Sequence, residues 1–78
     1  MPAYLARIIV SPVLDDDERL GMGDALGASE DHELPGGQVR FEVLGEAPDL
    51  ATATSAAYEH AAGVLDGYDF EVDVSQLP

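Results

Sequence analysis

Two histidines, sixteen carboxylates and four serines are the side chains in this sequence with chemistry to offer. His32 sits in "SEDHEL", with acids on both sides. An imidazole beside Glu30, Asp31 or Glu33 suggests a weak transition-metal site. Neighbours along an extended chain point to opposite faces, so those groups converge poorly. His60 lies in an alanine-rich stretch, with Ala56, Ala57, Gly63 and Val64 one helical turn away. None of these ligates a metal or shares a proton.

Asp15, Asp16, Asp17 and Glu18 form the densest acidic cluster. A calcium loop needs alternating acids, glycine at its sixth position and glutamate at its twelfth. Counted from Asp15, the fifth and sixth positions are Arg19 and Leu20, so the pattern fails. The run reads as a charged helix start. Ser11, Ser29, Ser55 and Ser75 lie in no nucleophile elbow. "LGMGDALG" lacks the lysine of a phosphate loop and carries Asp24, which repels phosphate. The chain is therefore expected to be non-enzymatic, with no metal and no cofactor.

The 78 residues are expected to form a single domain. There is no cysteine, hence no disulfide framework and no thiolate zinc site. There is no apolar span long enough for a membrane helix, and no basic stretch ahead of an apolar run as in a secretory signal. A cytoplasmic location is the simplest expectation. The formal net charge is −13, with three arginines and no lysine. Such a surface repels nucleic acid and anionic lipid. It is either a solubility surface or one that docks on a basic partner.

Periodicity places the elements. "AYLARIIV" alternates Tyr4, Ala6, Ile8 and Val10 against Leu5, Arg7 and Ile9, and reads as a central strand ended by Pro12. Asp15 and Glu18 match a capping box opening a helix, with Leu20, Met22, Ala25 and Leu26 as its inner face. Gly21 and Gly23 weaken that helix. "EDHEL" is ambiguous between an edge strand and a loop before a turn at Pro35-Gly36-Gly37. "QVRFEVLGE" is the clearest strand, with Val39, Phe41 and Val43 inward. A second helix is expected over 47–67. Pro48 takes its first position and Gly67 its stop, and an inner stripe runs through Leu50, Ala53 or Thr54, Ala57, Ala61, Val64 and Leu65. The last strand turns Tyr68, Phe70, Val72 and Val74 inward, with Asp69, Glu71 and Asp73 outward.

The order β-α-(β)-β-α-β predicts an α+β fold, a ferredoxin-like split βαβ sandwich. It has three or four strands and two helices on one face. The first and third strands are then central. The face left open shows Leu5, Arg7, Ile9, Arg40, Glu42, Leu44, Glu71 and Asp73. It lacks the aromatics and basic surround of an RNA-binding sheet. Two readings remain: a wall neutralised by Arg7 and Arg40 pairing with local acids, or an interface in which Leu5, Ile9 and Leu44 form an apolar strip. Arg40 discriminates, because an in-chain partner favours the wall and a cross-chain partner the interface.

"VRFEVLGEAPDLATATSAA", with a strand running through Glu46-Ala47-Pro48 into an alanine-rich helix, resembles small orphan proteins of actinobacteria and their bacteriophages. The lysine-free composition, rich in Ala, Gly and Asp, adds to that resemblance. It implies a phage accessory protein that binds a host protein, and carries no catalytic residues. The leading expectation is a protein-binding module, self-associating as a homodimer through the open face. The alternative is an acidic nucleic-acid mimic, since eight of the sixteen acids lie between residues 15 and 33.

Overall fold

The computed structural model describes residues 1–11 and 14–78. The elements run β1 (Ala3–Ser11), α1 (Asp16–Leu26), β2 (Glu30–Glu33), β3 (Val39–Glu46), α2 (Leu50–Val64) and β4 (Asp69–Gln76). One antiparallel sheet has the order β2-β3-β1-β4. This is the ferredoxin-like arrangement, with β1 and β3 central and both helices against one face. The strand end expected at Pro12 lies outside the described residues; β1 itself runs to Ser11.

Strict alternation fixes which face of β1 is buried. Tyr4, Ala6, Ile8 and Val10 are buried, and the residues between them half-buried. Ile8 pairs with Phe41 on one side and Val72 on the other. Met22 and Leu26 of α1, and Ala61 and Leu65 at the end of α2, close over them. Phe41 is the largest fully buried side chain.

The capping box forms as expected. The Asp15 side chain accepts from Glu18 N–H at 2.7 Å, and Glu18 accepts from Asp15 N–H at 3.2 Å. The inner face of α1 is narrower than the sequence suggested. Met22 and Leu26 are buried, but Leu20 is 68% exposed and Ala25 is also outside. The reason is angular: Leu20 lies two residues, about 200°, round the helix from Met22. Gly23 fills the gap, lying over the Phe41 ring.

"EDHE" is a strand, which makes the sheet four-stranded. All four residues are exposed, and its place comes from pairing with β3. The turn after it uses Gly36 and Gly37 at φ 90° and 86°, a backbone that L side chains avoid.

In α2, Asp49 rather than Pro48 opens the helix, accepting from Thr52 N–H at 2.7 Å. Leu65 rather than Gly67 caps its end. Leu50, expected on the inner stripe, is half exposed. The buried stripe starts one turn later, at Ala53, and continues through half-buried Ala57 to Ala61. These small side chains let α2 lie close on β1 and β4. The Tyr58 and Phe70 rings, 5.5 Å apart, fasten α2 to β4. Val43 is only half-buried, because α1 is short: eleven residues span about 16 Å and do not reach the far half of β3.

Two substitutions test this packing. Gly21 has nothing within 4 Å of a built Cβ, and at Gly23 that Cβ meets Phe41 at 3.5 Å, an ordinary contact. Gly21→Ala and Gly23→Ala should each stabilise the protein by about 0.5–1 kcal/mol in urea unfolding. Phe41→Ala should cost about 3–5 kcal/mol and leave most of the chain unfolded.

Candidate functional site

Cross-strand registration assembles the open face row by row. Glu30 stands opposite Glu42, Glu42 opposite Arg7, and Arg7 opposite Asp73. The next row is His32, Arg40, Ile9 and Glu71. Leu5 pairs with Leu44 on one side and Ser75 on the other. All eight residues expected on the open face are therefore on it, and β2 adds Glu30 and His32. The apolar strip is broken, however. Arg7 stands between Leu5 and Ile9, so the face carries a Leu5–Leu44 pair and a separate Ile9. Leu44 is 59% exposed.

Both arginines of the face have in-chain partners, and for Arg40 this is the pairing that favours the self-neutralised wall over an interface between copies. Arg7 Nη1 donates to Ser75 Oγ at 3.0 Å and lies 3.5 Å from Asp73. Arg40 Nη2 lies 3.5 Å from Glu42 Oε2. Its Nε is buried and finds no hydrogen-bond partner among the described residues. The Arg40–Glu42 contact is thus loose. Both residues point the same way from one strand, and the guanidinium reaches the carboxylate sideways rather than through its fork. The third arginine is on the helix side. Arg19 grips Asp31 through Nε and Nη2 at 3.1 and 3.2 Å, joining α1 to β2. That bond holds the Asp31 carboxyl below its ordinary value and raises the Arg19 guanidinium above its own.

The acidic run does not act as one site. Asp15 and Glu18 are spent on the helix cap, and Glu18 also accepts from the Tyr68 hydroxyl at 2.7 Å, which raises that phenol above its usual value. Asp16 and Asp17 are exposed in the first turn. The acids of residues 15–33 divide between two sides of the sheet. Glu30 joins the open face, while Asp31, opposite Phe41, and Glu33, opposite Val39, belong to the helix side.

Two features escaped sequence reasoning. His60 Nε2 hydrogen-bonds the Leu26 carbonyl at 2.8 Å and ties α2 to the end of α1. This partner is 34 residues away, beyond any helical spacing. Beside α2, an open apolar cleft of about 170 Å³ runs along the part of β3 that α1 leaves bare, lined by Tyr4, Val43, Ala53, Ala57, His60 and Val74.

The sheet edges are poor docking strands. β2 has four residues, all charged or histidine, and β4 carries Asp69, Glu71 and Asp73 along one side. The shortness of β2 and the row of carboxylates on β4 both resist strand addition. No helix among the described residues is long and apolar enough to cross a membrane. Compared with protein-family models, curated proteins and solved structures, the chain has no match.

The charge pattern has measurable consequences. Raising NaCl from about 0.01 M to about 1 M shrinks the Debye length from about 30 to about 3 Å and should raise Tm, because self-repulsion is screened. The Arg19–Asp31 pair works on the acid side. A carboxyl held below 3.8 in the folded state contributes stability above that value and loses it as pH falls through the folded value. Asp31→Asn should lower Tm at pH 7 more than Asp69→Asn does, and the difference should vanish in strong acid.

Proposed function

We propose that this chain is a non-enzymatic protein-binding module whose open sheet face holds a basic, amphipathic segment of another protein. The supporting observation is the makeup of that face. Exposed Leu44, with half-buried Leu5 and Ile9, is bordered by Glu30, Glu71 and Asp73, while Arg7 and Arg40 already have partners in the chain. Apolar anchors framed by carboxylates suit leucines flanked by lysine or arginine. With charge −13 per copy, a homodimer through this face must overcome like-charge repulsion.

The resemblance to actinobacterial and phage proteins fits this reading, with a host protein in the cytoplasm as partner. A nucleic-acid mimic is its narrower form, in which the partner's basic segment otherwise meets phosphate.

A Leu/Lys amphipathic peptide and its Leu/Glu counterpart, each labelled for fluorescence anisotropy, test the proposal. The Lys peptide should bind saturably and weaken as salt rises. Leu44→Asp and Glu71→Lys should each weaken it about tenfold, roughly 1.4 kcal/mol, and Asp16→Asn should not. Equal binding of both peptides, or indifference to the two face substitutions, would overturn the reading. So would a tight dimer in light scattering that Leu44→Asp dissociates, because the face would then belong to a second copy.

A further inference from the structure

At one end of the open face, three possible metal ligands meet. Glu30 and His32 are two residues apart on β2, so both point to this face. Glu42 comes from β3, directly opposite Glu30. His32 Nε2 is 3.4 Å from Glu30 Oε2 and 3.9 Å from Glu42 Oε2, and the three ligand atoms all lie within 4.8 Å of one another. Bonds of about 2.0–2.2 Å in a tetrahedral zinc site put ligand atoms about 3.3–3.6 Å apart. One of the three separations already matches that spacing, and the other ligand atoms must draw closer to meet it.

We infer that Glu30, His32 and Glu42 bind a single divalent transition-metal ion of the zinc type. The donor set gives the class: one imidazole with two carboxylates suits zinc, cobalt or nickel better than magnesium or calcium, which prefer oxygen alone. The two carboxylates neutralise the ion's charge, and the strongly negative chain attracts it.

The state of Glu42 is a second, separate observation. Its side chain is only 16% exposed, yet its carboxylate receives no hydrogen bond among the described residues. Its neighbours of opposite charge stay at 3.5 and 3.9 Å. With Arg40 at 3.5 Å and no hydrogen bond received, the Glu42 carboxylate keeps lone pairs free for a cation. Arg7, opposite Glu42 in register, turns instead to Asp73 and Ser75. Arg40 Nη2 lies 3.5 Å from Oε2, the same Glu42 oxygen that faces His32, so the guanidinium gives way when that oxygen takes an ion.

Three protein ligands leave one position of a tetrahedron open, to water or to a donor from a bound protein. The site is independent of the peptide-docking reading, since it needs no apolar contact and is read with metal alone.

Calorimetric titration of the intact chain with Zn²⁺, and the visible spectrum of the Co²⁺ form, test it. One ion per chain should bind saturably with micromolar affinity. The imidazole ¹⁵N resonances of His32 should move, and those of His60 should not. His32→Ala and Glu42→Gln should weaken binding about tenfold or more, while the Asp16→Asn/Asp17→Asn pair should leave it unchanged. Circular dichroism of His32→Ala, a change on an exposed edge strand, checks that the fold is intact. Binding indifferent to His32→Ala, with ions spread over the acidic surface, would overturn the inference. So would the absence of saturable binding at millimolar Zn²⁺.

Discussion

The fold depends on how the Phe41 ring is enclosed. It lies at the middle of the sheet with Ile8 beside it, and α1 passes over it at Gly23 with room for a methyl group in ordinary contact. Met22 and Leu26 flank that approach and finish the seal. In a chain with two phenylalanines and no tryptophan, little else is large enough to fill the space. The glycines that weaken α1 as a helix are not required by this packing: a Cβ at Gly23 meets the ring in ordinary contact, and one at Gly21 meets nothing. Most of α1's own surface stays outside, and its start is held by side-chain caps rather than by burial.

The second constraint is the scarcity of positive charge. Three arginines serve sixteen acids, and each is placed where it joins neighbouring parts of the fold or occupies the open face. Arg19 fastens α1 to β2, Arg7 bridges β1 to β4, and Arg40 lies beside Glu42 between β2 and β1. Little positive charge remains for the rest of the surface. The same arithmetic makes the face suit cationic groups, whether ammonium and guanidinium groups on a peptide or a bare metal ion.

Much of this architecture was legible from short-range pattern. Alternation in β1, β3 and β4 identified the inward residues, and the Asp15–Glu18 capping box marked the start of α1. What escaped was non-local. "EDHE" has no inward apolar residue, so only its ladder with β3 makes it a strand. The same ladder brings Glu42 to Glu30 and His32, a meeting that spacing along the chain does not reveal. His60 offered no local partner because its partner is a backbone carbonyl at the end of the other helix. Leu20 and Leu50 were misplaced for a simpler cause: in helices rich in glycine or alanine, a leucine looks inward by default, whatever its angle.

The strand order also governs time. β1 is made first but pairs with β3 and β4, and Leu77 N–H finally donates to the Ala3 carbonyl at 2.9 Å. The central strand of the sheet therefore stays without one neighbour until β4 has been made and has folded back onto it. Closing such distant pairs is entropically slow. During that wait the edge of β1 that β4 will cover is open, and the chain's dense negative charge opposes association between copies.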